Sequence, residues 1–325
     1  MEFLSLSSLD PTFNLALEEQ LFTALPPRHP GLFLLWQNGP SVIVGRHQCT
    51  EEEINAGFIR RENLPVVRRN TGGGAVYHDT GNLNFSFLEN MRRPGRMDFR
   101  RLLAPVCLAL ADVGVTAEIS GRNDLAAGGR KISGNAQLLR DGKTLHHGTL
   151  LVNLDFSRMV EALNPAPEKI RSKGVASVRA RVANIADFWK PGATMETLKH
   201  ALSCRCAERQ AELSRETLAA AHDLAEAKYR QWEWNYGASP AFTEKKQERF
   251  SWGSVDMRLD VRAGVIRSCR IYGDFFAATP IEKLEALLTG QKRESGALAR
   301  TLAGADMEDF FSGCDAVVMR RFLTE

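Results

Sequence analysis

The sequence predicts an α+β protein with one large domain organised on a mixed set of strands and a small α+β domain behind it. Three observations predict it. A strand, a triple-glycine turn and a second β-prone segment follow one another from Leu64 to Tyr77, and Asp141-Gly142 joins two further β-prone runs. Helical patterns flank both blocks. Past Trp232-Glu233-Trp234-Asn235-Tyr236, the turn residues Gly237 and Pro240 mark a boundary, giving domains 1–240 and 241–325.

Composition bounds the function classes. At 325 residues, with 44% hydrophobic and 25% charged residues, the chain fits a soluble globular protein of a large domain plus a small one. A net charge of +3 is too small to argue for nucleic acid without a concentrated basic face. No basic segment precedes an apolar core at the N-terminus, and no apolar run approaches the roughly 18 residues of a membrane span. The expectation is a cytoplasmic protein that binds neither nucleic acid nor membrane. Its six cysteines fit that compartment as thiols; Cys204 and Cys206 have a C-x-C spacing without the second pair of a zinc site and read as helix residues.

Taken in order, Asp10-Pro11 is a helix cap and first turn, with Phe13, Leu17, Leu21 and Leu25 on one face. Strands are expected over 32–36 and 41–44, joined by Asn38-Gly39-Pro40, and a helix from about Glu51 to Arg61. The stretch RRNTGGGAVYHD then carries the first chemistry as a glycine-turn hairpin. Gly72, Gly73 and Gly74 lack a Cβ, so a ligand can reach their backbone N–H groups, and Arg69 beside them supplies a planar fork suited to phosphate. A plain tight turn between strands is the competing reading.

Arg92, Arg93, Arg96, Arg100 and Arg101 form the densest basic run. With Asp98 and a helix over 99–113 beside them, they read as a solvated face rather than a docking site for an acidic partner. A strand near 117–119 follows.

The second block is RNDLAAGGRKISGNAQ followed by HHGTLL. A two-residue turn at Asp141-Gly142 pairs Arg140 with Lys143, Gln137 with His146 and Ala136 with His147. The same count places His147 and Thr149 on one face with Ile132, Gly134 and Ala136, and leaves Lys131 on the other. A bulge at Gly134 would bring Lys131 and His147 together. Without one, Lys131 is a solvent-facing lysine. His147 is either a neutral, hydrogen-bonded strand histidine or a ligand contact.

The third block, Lys169 to Asn184, alternates charge with small residues. It reads as a lid or binding loop, or else a surface excursion, with Lys173 and Arg181 able to bring positive charge to an anion. Helices are expected over 195–210 and 215–230. The aromatics after them read as an interdomain packing patch. Strands near 250–261 and 264–271, a helix over 280–288 and an amphipathic C-terminal stretch complete the small domain.

The three blocks in this order and spacing resemble the bacterial lipoate-protein ligase family, and the WEWNYG segment with the region C-terminal to it resembles that family's accessory domain. The resemblance covers nearly the whole chain. It implies a biotin/lipoate-protein-ligase-like mixed sheet, related to the class II synthetase core, with a small C-terminal α+β domain; composition and periodicity do not show that fold. It implies that lipoate is activated with ATP to lipoyl-AMP and passed to a lysine of lipoyl domains, those of 2-oxoacid dehydrogenase acyltransferase subunits or the glycine cleavage H protein, by a monomer.

On that basis Lys131 is the catalytic lysine. Arg69, Gly74, Ala75, Val76, Tyr77, Asn123, Asp124, Lys131 and Lys173 are the expected ATP or adenylate contacts. Arg69, Thr71, Gly73, His78, Lys131 and His147 are the expected lipoate contacts. Thr71 stands where the family more often has serine, and the hydroxyl is kept. Mg²⁺ is expected on the ATP phosphates, with no ligand residue named by the sequence. The nearer rival, a lipoyl or octanoyl transferase using a preactivated donor, would be expected to use a cysteine nucleophile, and none occurs between Cys107 and Cys204.

Overall fold

The structure is a computed structural model and describes residues 1–91, 97–163, 180–237 and 242–325. Its strands are β1 (Glu2–Ser5), β2 (Leu32–Trp36), β3 (Ser41–Val44), β4 (Val66–Arg68), β5 (Val76–His78), β6 (Asn82–Asn90), β7 (Glu118–Ser120), β8 (Asp124–Ala127), β9 (Arg130–Arg140), β10 (Lys143–Leu151) and β11 (Arg209–Gln210), then β12 (Glu244–Phe250), β13 (Gly253–Arg262) and β14 (Val265–Gly273). Eight of them form one mixed sheet in the order β11-β1-β2-β6-β10-β9-β8-β7. The first three run parallel to one another and the remaining pairings are antiparallel.

Alternation along the central strands decides what covers each face. Phe33, Leu35, Leu83, Phe85 and Phe87 form a core with Leu103, Val106 and Leu110 of α4 (Phe99–Asp112). Leu32, Leu34, Trp36 and Leu88 face the other way, toward Leu15, Ala16 and Phe22 of α1 (Pro11–Ala24). Helix α1 begins as expected: the Asp10 carboxylate accepts from Thr12 N at 2.8 Å and Pro11 occupies the first turn. It also buries Asn14, Glu18 and Glu19, which the apolar pattern does not announce.

Two sequence expectations, the glycine-turn hairpin and the single helix over 51–61, need correction here. The segment from Ser41 onward does not return to pair with β2; β3 leaves the large sheet and forms a second, three-stranded one in the order β4-β3-β5. The glycine segment is therefore no hairpin, because β3 lies between its two flanking strands, parallel to β4 and antiparallel to β5. The expected helix over 51–61 is broken into α2 (Thr50–Glu53) and α3 (Ala56–Arg61), because Asn55 caps the second by accepting from Phe58 N. By contrast, the Asp141-Gly142 register is as counted: Arg140 opposes Lys143, Gln137 opposes His146 and Ala136 opposes His147.

Later elements are α5 (Phe156–Ala162), α6 (Met195–Cys206), α7 (Arg215–Leu224) and α8 (Trp232–Asn235); Cys204 and Cys206 lie in α6. The aromatic segment packs first against the glycine strand rather than between domains: Trp234 Nε1 donates to Arg68 O at 2.8 Å and Arg68 N to Asn235 Oδ1 at 2.9 Å. The boundary expected near Pro240 lies outside the described residues. Beyond it, β12-β13-β14 form an antiparallel sheet over a separate core that includes Val255, Met257, Ile271, Phe275, Leu284, Phe311 and Phe322. Strand β12 escapes sequence reading because EKKQERF is charged and mostly exposed at the sheet edge.

This second core sits against the glycine turn. Gly273 N donates to His47 O at 2.7 Å, Arg46 pairs with Glu282 at 2.5 Å and Arg258 with Glu52 at 2.6 Å. Gly72 is packed so tightly that a Cβ there would stand 2.1 Å from Phe275 O.

Candidate active site

A cavity of about 450 Å³ runs across the large sheet from β2 to β8, under the glycine turn. At the β2 side its walls are Leu15, Trp36, Ile43, His78 and Asn84; at the β8 side they are Asn123, Asp124, Lys131 and Gly134, with Arg122 nearby. Arg249 and Asp274 of the second unit complete that end. One end thus offers hydrocarbon and neutral polar groups, the other charge.

Lys131 reaches the cavity through a bulge, though not at the residue expected. Asp124 opposes Gly134 and Leu125 opposes Ser133, but Ala126 opposes Lys131, so Ile132 is the extra residue of β9. Ile132 consequently turns into the α4-side core, where it is fully buried, and Lys131 joins Gly134 on the cavity side. This corrects the face assigned to Ile132 and to Lys131 by simple alternation. Lys131 Nζ lies 2.8 Å from Asp124 Oδ1 and about as close to Gly134 as a side chain can come: a Cβ at Gly134 would be 3.0 Å from Nζ.

The third block supports the same lysine. Lys131 N donates to Arg181 O at 2.8 Å and Ala183 N donates to Lys131 O at 2.9 Å, making a parallel bridge to Val182. Asn184 then pins this segment to Leu154 through both its amide groups. Lys173, and with it most of the loop expected to act as a lid, lies outside the described residues. So do Arg92, Arg93 and Arg96; Arg101 of the same run is half-buried and paired with the buried Glu89 carboxylate.

Arg69 lines the cavity but commits four of its five N–H donors to the turn that covers it. Nη2 donates to Gly72 O at 2.7 Å and Gly74 O at 2.9 Å, Nη1 to Ile43 O at 3.2 Å, and Nε to Thr71 Oγ1 at 3.0 Å. The arginine fork expected to meet phosphate thus shapes the loop first. Burial lowers its pKa to about 10, with the Glu18 carboxylate opposing that shift. Gly73, with φ 91°, holds the turn's left-handed position.

Thr71 and His147 continue this network inward. Thr71 Oγ1 is 2.8 Å from His147 Nε2, and His147 Nδ1 is 3.0 Å from both oxygens of Glu18. An ionised carboxylate only accepts, so His147 Nδ1–H donates to Glu18, and in the neutral ring Nε2 accepts the hydrogen of Thr71. Ser86 Oγ donates to the same carboxylate at 2.5 Å and receives Trp36 Nε1 at 2.9 Å. A buried cation, Arg69, and a buried anion, Glu18, are thereby joined through one hydroxyl and an imidazole, and Ser86 ties the same anion to Trp36.

Gly74, Ala75 and Val76 line the cavity, whereas Tyr77 does not. Strand alternation turns Tyr77 into the core with Val42 and Leu154, where its hydroxyl meets Arg158 Nε at 3.1 Å. Only its backbone remains near the turn. Asn123 lines the charged end and exchanges amide contacts with Asn135, whose Nδ2 donates to Asn123 O at 2.9 Å. His78 is buried and neutral, its pKa lowered to about 3 by burial first and by Arg69 and His147 next.

Glu18, Trp36, Asn84, Arg122, Arg249 and Asp274 were not singled out by sequence reading. For Asn84 a signal existed: NLNFSFL alternates Asn82, Asn84 and Ser86 with Leu83, Phe85 and Phe87, a polar face inside a fully buried strand. Among the described residues no group of three or more His, Cys, Asp or Glu is placed to hold a metal ion, and no helix is long and apolar enough to cross a membrane.

Comparison with known proteins places this geometry. The family model of the lipoyl protein ligase A/B catalytic domain matches residues 10–207, and that of the bacterial lipoate protein ligase C-terminus matches residues 239–322. The chain is 40% identical over 309 residues to lipoate-protein ligase LplJ of Bacillus subtilis, spanning 93% of each chain. Its fold matches P. falciparum LipL1 in complex with lipoate at a TM-score of 0.84 over 99% of both chains, at 23% identity. A lipoate-protein ligase A bound with ATP matches at a TM-score of 0.63 and 29% identity, over 73% of this chain and 98% of the other. With both of its parts matched in order and a full-length likeness to a curated member, the chain belongs to the lipoate-protein ligase family.

Proposed function

We infer that this family member is a working lipoate–protein ligase: it joins lipoate to AMP at the expense of ATP, then transfers the lipoyl group to a lysine of a lipoyl domain. The observation that carries this reading is the polarity of the cavity, apolar and neutral beside Trp36 and charged beside Lys131. An eight-carbon acyl chain lies along the first part and presents its carboxylate to the second.

Activation brings a carboxylate against the α-phosphate of ATP. A P–O bond forms, the bond to pyrophosphate breaks, and negative charge builds on the α-phosphate oxygens. Lys131, held by Asp124 until substrate arrives, supplies the cation at that point. Asn123, Gly74, Ala75 and Val76 border the nucleotide, and Arg249 and Asp274 close the same end from the second unit. Arg69 and Gly73 keep the turn in shape over the mixed anhydride, with Thr71, His78 and His147 along the acyl chain. In the second step an uncharged lysine amine of the acceptor attacks the acyl carbon, an amide forms, and AMP leaves.

Mg²⁺ fits this site only in a restricted way. Asp124 and Asp274 are the carboxylates bordering the cavity's charged end among the described residues, and both are engaged, the first with Lys131 and the second with Arg249 and Ser254 N. The ion would enter on the phosphates of ATP, keeping most of its water, with these residues as outer partners; it would neutralise charge there. Acceptors are the lipoyl domains of 2-oxoacid dehydrogenase acyltransferase subunits or the glycine cleavage H protein, and the enzyme acts as a cytoplasmic monomer of two domains meeting near residue 240. ATP–pyrophosphate exchange with lipoate, octanoate and biotin in parallel tests the reading. Exchange should depend on lipoate; exchange driven by biotin alone, or by none of the acids, would overturn it.

A further inference from the structure

Two buried side chains that border the acyl end of the cavity carry N–H donors with no acceptor in the protein. These are His78 Nε2 and Asn84 Nδ2, on residues only 3% and 2% exposed. The tautomer of His78 is dictated by its neighbours. The two hydrogens of Asn14 Nδ2 are shared among Ser8 O and Gln37 O at 2.9 Å and Asn38 Oδ1 at 3.0 Å; an amide nitrogen in place of that last oxygen would be repelled, so the Asn38 amide nitrogen faces His78 Nδ1, 3.1 Å away. His78 accepts there with Nδ1, which leaves its hydrogen on Nε2. Asn84 Oδ1 accepts from Asn82 Nδ2 at 2.9 Å, which leaves its NH₂ as the free end.

Both lie at the β2 side. Asn84 is the direct cross-strand neighbour of Trp36, and His78 is held through Asn38, two residues beyond Trp36. A wall meant only for hydrocarbon has no use for such donors, since a buried, unmatched N–H is costly. They call for an acceptor on the ligand, far from its carboxylate.

Resting on the ligase reading, we propose that Asn84 and His78 are specificity-determining residues that select an acyl chain bearing acceptor atoms near its far end, the ring sulfurs of the dithiolane, over the plain hydrocarbon tail of octanoate. Sulfur accepts weakly, so the selection is modest: about tenfold in kcat/KM, equivalent to one ordinary hydrogen bond. Octanoate loses because it leaves both donors unpaired. An octanoate carrying a hydroxyl at carbon 8 restores an acceptor and recovers part of the loss.

The experiment measures kcat/KM for pyrophosphate exchange with lipoate, octanoate and 8-hydroxyoctanoate, on the full chain and on Asn84→Leu and His78→Phe. The lipoate-to-octanoate ratio should exceed about tenfold in the wild type and fall toward one in each variant, with the hydroxyl analogue losing its advantage over octanoate alongside. A ratio taken on one preparation does not depend on the folded fraction, so a variant of reduced stability still gives an answer. A wild type that uses both acids equally, or variants that keep the wild-type ratio, overturns the proposal while leaving the ligase reading intact. Exchange with none of the acids instead removes the ligase reading and this proposal with it.

Discussion

Lys131 Nζ is held 2.8 Å from the Asp124 carboxylate across the one bulged register of the β8–β9 pair, so the cation at the charged end of the cavity is positioned before any substrate enters. Replacing it by alanine should cut pyrophosphate exchange by about 10² to 10³, the usual loss when a preorganised charge is taken from a transition-state anion. Asp124→Asn should cost less, because the cation remains and only its aim is loosened. Steady-state exchange at saturating lipoate checks both, and wild-type turnover in Lys131→Ala would remove this lysine from the mechanism.

Arg69 should behave differently from Lys131. Its guanidinium holds three backbone carbonyls and Thr71 while buried, whereas the Lys131 side chain is partly exposed. Arg69→Ala therefore leaves several buried acceptors unmatched and should lower stability by about 3 kcal/mol or more, as well as weakening ATP use. Lys131→Ala should unfold at nearly the wild-type urea concentration. Equal unfolding midpoints for the two variants would contradict the bracing role given to Arg69.

How far the site could be read in the sequence depended on the distance over which each contact is decided. The Asp141-Gly142 turn fixes the register of its two strands locally, so the pairing of His147 with Ala136 was legible. The bulge at Ile132 was not legible at its position, because it is decided by what β8 presents across the sheet and by the need to bury Ile132 against α4. The glycine turn was legible as chemistry but not as topology: nothing local in Leu64 to Tyr77 says that β3 will lie between its flanks. Glu18 was hidden for a related reason. On α1 it reads as an exposed charge, and only His147 and Ser86, 129 and 68 residues away, make it a buried partner.

Acid should destabilise the protein before most carboxylates titrate. His78 and His146 are both buried, and burial is the largest cause lowering each pKa to about 3. In the unfolded chain each takes up a proton near pH 6.5, and in the folded one near pH 3. Between those values the unfolded state binds more protons, so stability is full above about pH 6.5 and falls as pH falls, by up to about 1.4 kcal/mol per pH unit for each histidine. Urea unfolding at pH 7, 6 and 5 reads the slope. His146→Leu should be less stable at pH 7, since Gln137 loses its partner, yet show a shallower decline; an unchanged slope would mean that His146 does not carry the linkage.

The contact of Gly72 with the second unit offers a way to separate the two half-reactions. A methyl group at Gly72 would stand 2.1 Å from Phe275 O and 3.1 Å from the Phe276 ring, so Gly72→Ala must push the second unit away from the turn. Arg249 and Asp274 would move with it, opening the charged end where ATP has to be held, while Trp36, Asn84 and His147 belong to the large sheet and its cover and stay in place. Activation, which gathers three phosphates and a carboxylate, should therefore lose more than transfer, which needs only the bound acyl-adenylate and an incoming amine. The expected result is a fall of about tenfold or more in pyrophosphate exchange, with transfer from supplied lipoyl-adenylate to a lipoyl domain reduced much less. A chain ending near Tyr236 should show the same split in stronger form if it folds. Equal losses in both half-reactions for Gly72→Ala would place the damage in the glycine turn itself, and would remove the second unit from any separate part in activation.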